Sequence, residues 1–278
     1  MCELFALSCN KIVNISFSFT KFEARSHTNP HGWGVGFYRQ HPEGYPYATI
    51  IKEPIPAYES IFKDFLKTKI RSNIFISHVR RASGSVHVPL NTHPFELMLD
   101  PRPDTPREKS WIFAHNGTIS GIKRNEKFKS PIKTHGNTDS EYAFCYIINQ
   151  LRIRYRNNNY NLTPQEKIET IKEAADTIDD HYPKSLNFIM SDGHRVYAYY
   201  SGHNATGGLW YLERKKPHKE LEIHDTEDGM TLKLQKSEDE KATLVATKPL
   251  TSEKTWTKLQ KRELIVLQNG ELIQSLRK

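Results

Sequence analysis

Cysteine is scarce. Three occur in 278 residues, at positions 2, 9 and 145, an odd number that gives no disulfide framework and suits reduced thiols. No apolar run approaches the roughly 20 residues of a membrane-spanning helix, and no basic stretch followed by an apolar core opens the chain as a secretory signal would. These absences predict a cytoplasmic protein with no membrane partner. Phosphate loops of the Gly-x-x-x-x-Gly-Lys and Gly-x-Gly-x-x-Gly types are missing, as are Cys-x2-Cys pairs and Gly-x-Ser-x-Gly, which removes the usual sequence grounds for a nucleotide site, a zinc knuckle or an α/β-hydrolase. His78, His87, His93 and His115 do not stand at His-x3-His spacing, so no metal site is predicted from them.

What is present is a soluble, globular composition, with 11% aromatic and 26% charged residues and a net charge of +8. The basic residues gather between Lys123 and Lys133 and again over Glu213–Lys219, but acidic residues are interspersed and neither cluster carries a nucleic-acid motif. They read as solvated surface, and no nucleic-acid partner is predicted. Trp33–Gln40, Asn73–Val79 and Trp111–His115 are rich in aromatic and β-branched residues and predict strands. Ala57–Lys69 has helical apolar spacing at Ile61, Phe62, Phe65 and Leu66, and the three prolines of Asp100–Lys109 predict a surface loop. Two helices should start at Thr138 and Thr163, each followed three residues later by glutamate in capping-box form. Leu186–Met190 with Arg195–Tyr200, and Leu264–Gln268 with Glu271–Gln274, predict hairpins. Strands, then helices, then strands, without βαβ alternation, indicate a layered α+β fold. No repeat or linker divides the chain, so one domain over residues 1–278 is expected.

Cys2 directly follows Met1. If Met1 is removed, one residue carries both a thiol and an α-amine whose pKa, about 7.7–8, leaves a useful neutral fraction near pH 7. Such a nucleophile also needs oxyanion donors and groups that hold the substrate. The turn Asn116-Gly117 could supply the donors through a side-chain amide and a backbone N–H. It could equally be an ordinary turn. Arg80 could bind a carboxylate bidentately or sit in a surface ion pair. Asp139, at a helix start, could hold an ammonium or simply cap.

Taken together, Cys2, His31-Gly32-Trp33-Gly34, His78-Val79-Arg80, Asn91-Thr92-His93-Pro94-Phe95, Ala114-His115-Asn116-Gly117 and Gly136 to Glu141 resemble, in order and approximate spacing, the class II (N-terminal nucleophile) glutamine amidotransferases. Met190-Ser191-Asp192-Gly193 and Val245 to Thr251, followed by Trp256, are similar to the stand-alone YafJ-like subgroup. The resemblance implies a four-layered αββα Ntn-hydrolase sandwich of two mainly antiparallel sheets. It implies Cys2 as nucleophile, its own α-amine as base, Asn116 and the Gly117 N–H as oxyanion hole, Arg80 and Asp139 as partners of the glutamine carboxylate and amine, and His93 in the pocket wall. The implied substrate is glutamine or a γ-glutamyl small molecule, hydrolysed through a thioester with no metal or organic cofactor. Any use of the ammonia would call on a separate accepting protein. Arg81 and Ser83-Gly84-Ser85 stand where synthase-coupled members carry tryptophan and Thr-His-Gly. Two other classes of function remain open at this point: a catalytically idle binding or regulatory subunit, and a basic RNA-associated protein.

Overall fold

The computed structural model describes residues 2–14, 20, 23–82, 86–99, 109–202, 207–214, 222–224, 231–233, 239–251 and 254–277. Its strands are β1 (Glu3–Asn14), β2 (Trp33–Gln40), β3 (Pro46–Glu53), β4 (Arg71–Val79), β5 (Phe95–Leu99), β6 (Lys109–Asn116), β7 (Asn187–Ser191), β8 (Val196–Tyr200), β9 (Trp210–Arg214), β10 (Glu222–His224), β11 (Thr231–Lys233), β12 (Ala242–Ala246), β13 (Thr257–Lys258), β14 (Glu263–Gln268) and β15 (Glu271–Leu276). One sheet runs β13-β9-β12-β1-β4-β2-β3 and the second β15-β14-β8-β7-β6-β5, while β10 and β11 pair as a ribbon. The helices are α1 (Lys63–Lys69), α2 (Asp139–Asn157) and α3 (Pro164–His181).

Strand alternation sorts the apolar residues into three layers. Leu4, Ala6, Ile74 and Ile76 of the first sheet meet Ile112, Ala114, Ile189 and Ile265 of the second, forming the core between the sheets. The other face of the second sheet, with Trp111, Phe113 and Phe188, is covered by Phe144, Ile147, Ile148, Ile171 and Ile178 of α2 and α3. The outer face of the first sheet, with Phe5, Trp33, Val35 and Phe75, is covered more thinly, by Ala57, Leu66, Leu250 and Trp256. This is the expected layered α+β sandwich of two antiparallel sheets, with its main helical layer on the second sheet.

Local expectations met mixed outcomes. The predicted strands over 33–40, 73–79 and 111–115 all form, and both hairpins close as expected, Gln268 pairing with Glu271 across Asn269-Gly270. The helix expected over Ala57–Lys69 does not form as one piece. Residues 57–59 make a 3-10 turn, the Ser60 hydroxyl receives the Phe62 N–H at 3.1 Å, and only 63–69 are α-helical. Its supposed apolar face is mostly open, with Ile61 84%, Phe62 40% and Phe65 48% exposed, and Leu66 alone of the four buried. Thr163 and Glu166 form a full capping box. Thr138 gives only half of one: its hydroxyl accepts from the Glu141 N–H, but the Glu141 carboxylate turns to the His135 and Gly136 N–H groups. The predicted loop over 100–109 lies outside the described residues up to Lys109, as do residues 215–219 of the second basic cluster, Ser83-Gly84-Ser85 and Met1.

Candidate active site at the sheet ends

Cys2 stands one step beyond the last pairs of β1 with β4, Glu3–Val79 and Leu4–His78. The same register that aligns these strands therefore brings Cys2 to Arg80 and Arg81. The Arg81 N–H donates to Cys2 Sγ at 3.0 Å, and the thiol donates to the Arg81 carbonyl at 3.3 Å. Burial pushes the thiol pKa up, while the Arg81 N–H and the Arg80 charge pull it back. From the second sheet, Asn116 ends β6 and its Nδ2 donates to the Cys2 carbonyl at 2.5 Å. The Asn116 carbonyl in turn accepts from Asn187 Nδ2 on β7 at 3.1 Å. The two sheets are thus joined at the residue expected to be the nucleophile.

The Asn116-Gly117 turn is held from behind by buried His115. Ser140 Oγ lies 2.8 Å from His115 Nδ1 and the Ser185 carbonyl 2.9 Å from Nε2. A carbonyl can only accept, so Nε2 carries the proton and Nδ1 receives the Ser140 hydroxyl. A Cβ on Gly117 would lie 2.0 Å from the Ser185 carbonyl oxygen, so the turn can pass here only as glycine.

Ser140 connects this turn to the start of α2, where Asp139 is half-buried. Its Oδ2 accepts from the Ile119 N–H at 2.6 Å and its Oδ1 from the Ser140 N–H at 2.9 Å. The carboxylate is therefore fixed in direction and favoured by the helix N-terminus. The loop before it is tied down by Glu141, and by Asn91, whose Oδ1 accepts the Asn137 N–H at 3.0 Å.

Arg80 is 4% exposed, and one of its NH groups donates to the His31 carbonyl at 3.3 Å. Burial draws its pKa down, and the Cys2 thiol opposes that. His31 stacks on His87 with ring centroids 4.3 Å apart and accepts the Ala82 N–H at 2.9 Å. His93 is brought beside His78, centroids 4.4 Å apart, with Phe95 on its other side at 4.5 Å. Neither ring has a hydrogen-bond partner among the described residues. Burial pushes the His78 pKa down to about 3 and that of His93 well below the ordinary range. Lys52 Nζ donates to the Thr92 and Pro94 carbonyls and, partly desolvated, has its pKa lowered to about 8.

All six predicted site residues thus lie on segments that meet where the ends of β1, β4 and β6 approach the start of α2. Cys2, Asn116 and Gly117 are tightly joined; Asp139 is linked to them through Ser140 and His115; Arg80 is next to Cys2; His93 touches His78 and Phe95 rather than Cys2. Sequence reasoning missed the Arg81 N–H, the supports supplied by His115, Ser140 and Ser185, and the Glu3–Arg25 ion pair next to Cys2. Backbone donors carry no residue signature, although the His115-Asn116-Gly117 run pointed at the first support. Among the described residues no three His, Cys, Asp or Glu side chains converge as a metal site requires.

A family model described as glutamine amidotransferases class II matches residues 1–278. The chain belongs to that family. Among its relatives, the uncharacterised protein MJ1515 of Methanocaldococcus jannaschii is 37% identical, over 99% of this chain and 71% of that protein. YafJ of Escherichia coli, named for a proposed glutamine amidotransferase activity, is 33% identical over 98% of this chain and all of YafJ (100%). The fold of this chain is shared with a predicted glutamine amidotransferase from Pseudomonas aeruginosa, at TM-score 0.66 and 23% identity, covering 98% of this chain and 100% of that one. It is also shared with the glutamine phosphoribosylpyrophosphate amidotransferase of Bacillus subtilis, at TM-score 0.60 and 15% identity, over 99% of this chain and 49% of that one. Those likenesses show the fold, a layered α+β sandwich of two antiparallel sheets. No helix among the described residues is long and apolar enough to cross a membrane.

Proposed function

We propose that the protein hydrolyses the γ-amide of glutamine, or of a γ-glutamyl amide, through a thioester on Cys2 after removal of Met1. The observation that carries this reading is the junction of Cys2 with Asn116, where a side-chain amide donor from one sheet reaches the nucleophile residue of the other at 2.5 Å. The α-amine of Cys2 takes the thiol proton and the thiolate attacks the amide carbon. Charge that develops on the amide oxygen is met by the second N–H of Asn116 Nδ2, whose other N–H is bonded to the Cys2 carbonyl, and by the Gly117 N–H. The proton returns to the leaving nitrogen, ammonia departs, and a γ-glutamyl thioester remains. Water then adds to the thioester carbon, the thiol leaves, and glutamate is released. With a γ-glutamyl amide an amine leaves instead of ammonia. Buried Arg80 suits the substrate carboxylate and Asp139 its ammonium, with His93 in the wall behind them.

The test is glutamate release from glutamine and from a panel of γ-glutamyl amides by protein whose N-terminal mass shows loss of Met1. Turnover and labelling by a glutamine-mimicking diazo-ketone should both vanish in Cys2→Ala. Activity surviving that substitution sinks the proposal. Retention of Met1 with no turnover would favour a binding or regulatory role for the same fold.

A further inference from the structure

The segment Thr247-Lys248-Pro249 follows β12 and, together with Arg25, surrounds the first residues of β1. Leu4 is held on both backbone groups by Thr247: its N–H donates to Thr247 Oγ1 at 2.8 Å, and its carbonyl accepts the Thr247 N–H at 3.1 Å. Next to it, Glu3 is only 7% exposed. Its carboxylate is bound by the Arg25 guanidinium through one oxygen and approached by Lys248 Nζ at 3.8 Å through the other. Arg25 is itself anchored, donating to the Pro249 carbonyl at 3.2 Å. Two separated parts of the chain, Arg25 and the 247–249 segment, therefore converge on the residue that follows Cys2.

A buried carboxylate at this position has an electrostatic consequence. Left unpaired, it would stabilise an ammonium one residue away and so raise the pKa of the Cys2 α-amine, leaving less of the neutral base near pH 7. We propose that Arg25, assisted by Lys248, is a positioning residue that neutralises Glu3 and so keeps the Cys2 α-amine able to accept the thiol proton near neutral pH, while Thr247 fixes the strand that carries it. This inference rests on the reading of Cys2 as an N-terminal nucleophile. Among the described residues, the other charged or titratable groups near Cys2 are its own thiol, Arg80, whose charge acts on that thiol, and Arg81 and His31 beside Arg80. The arginines favour a neutral amine. His31, whose pKa is lowered by burial and by nearby cations, adds no charge at neutral pH.

The experiment is a charge cycle on Met1-free protein, reading the acid limb of kcat/KM for glutamate release, which reports the free-enzyme base. The base must be neutral to act, so raising its pKa moves the limb to higher pH. Arg25→Gln should move it up by about 0.5–1 pH unit and Glu3→Gln should move it down, with the double variant returning close to wild type. Arg25→Lys keeps the charge and should leave the limb in place. A purely structural role for Arg25 would lower the rate at every pH without moving the limb. A second readout, independent of turnover, is NMR titration of the 15N-labelled α-amine, which should shift in the same directions. Should Arg25→Gln fail to fold, Glu3→Gln and Arg25→Lys still decide the matter. Limbs and titrations that superimpose across the cycle overturn the inference while leaving an active wild type, and with it the proposed reaction, intact. A wild type that makes no glutamate overturns the reaction, and the amine titration then still tests the charge balance.

Discussion

The Arg81 backbone N–H points at the Cys2 sulfur from 3.0 Å. A fixed donor of this kind stabilises a thiolate more than a thiol, because a hydrogen bond to a charged acceptor is roughly twice as strong as one to a neutral group. In the resting protein, burial works the other way and keeps the thiol pKa raised. Cys2 is nevertheless the accessible thiol, since Cys9 and Cys145 are both buried, and burial pushes the Cys145 thiol up to about 12.

Native alkylation should therefore modify Cys2 before either other cysteine, and several-fold more slowly at pH 7.5 than a free cysteine would react. Peptide mapping after a short iodoacetamide pulse checks this. Equal labelling of Cys9 or Cys145 under native conditions would contradict the packing around them.

The proposed donors and charge partners should separate kinetically. Asn116→Ala removes an interaction that is strongest in the transition state, so kcat should fall about 100- to 1000-fold with little change in KM. Arg80→Gln and Asp139→Asn remove partners of groups that do not react. Their main effect should be on KM for glutamine, about 10- to 100-fold for each charge-assisted hydrogen bond lost. A large kcat effect from Asp139→Asn with unchanged KM would place that carboxylate in the chemistry instead.

The site was more legible in the sequence than the frame that holds it. Cys2, Arg80, Asn116-Gly117 and Asp139 stand out in the sequence because the chemistry proposed for them demands particular residue types at particular places. β1 was not read as a strand, although Cys2 sits at its edge: Glu3–Asn14 mixes buried and exposed residues without clean alternation, and its pairing with β4 shifts register between Ser8 and Val13. β3, β5, β9 and β12 were also missed; β12 is set by β1, far along the chain, whereas β3 pairs with the adjacent β2 and most of its residues are only half-buried. The Ala57–Lys69 spacing misled because a local apolar pattern does not reveal that Ser60 will break the helix and leave Ile61 in solvent. Ser191-Asp192-Gly193-His194, between the two strands of the first predicted hairpin, carries the expected turn, with Ser191 still the last residue of β7. Its aspartate does more: Asp192 accepts Lys167 Nζ at 2.9 Å in a buried ion pair with α3, a partnership 25 residues apart that no local reading gives.

His115 should prove to be a support. His115→Phe leaves the Ser185 carbonyl and the Ser140 hydroxyl without the partners they now have, a cost of about 2–4 kcal/mol in unfolding free energy. His115→Gln can restore one of the two bonds and should recover part of that loss. Urea midpoints measure both. In kinetics, the phenylalanine variant should lose kcat, since the Asn116-Gly117 turn proposed to bind the oxyanion is no longer braced. Unchanged stability in both variants would mean that the two hydrogen bonds at 2.8 and 2.9 Å contribute nothing net.

Two glycines give a packing control on one another. A Cβ on Gly34 would lie 2.2 Å from the His93 carbonyl oxygen and 2.8 Å from the Lys52 Cβ, whereas one on Gly44 meets nothing within 4 Å. Gly34→Ala must therefore displace the His93 loop and should cost about 3 kcal/mol or more. Gly44→Ala suffers only the strain of its positive φ of 85°, about 1–2 kcal/mol. Thermal unfolding of the pair should rank them in that order, and the reverse order would show that the His93 loop yields without resistance.

The paired histidines behind the site make folding pH-dependent. His78 has its pKa pushed down to about 3 and His93 is lowered in the same direction, both chiefly by burial, with nearby cations adding to the effect. In the unfolded chain each imidazole titrates near its ordinary value of about 6.5. Below that pH the unfolded state takes up protons that the folded state refuses, so stability falls as pH drops from about 6.5 towards 3. Between pH 7 and pH 5 each histidine should contribute a loss of about 2 kcal/mol, obtained by integrating the linkage relation over that interval. The measurement is the change in unfolding free energy between those two pH values. His78→Gln, which cannot titrate, should show a smaller pH-dependent loss than wild type whatever its stability at pH 7. Equal losses in the two proteins would mean that His78 is protonated within the fold, with its ring nitrogens satisfied after all.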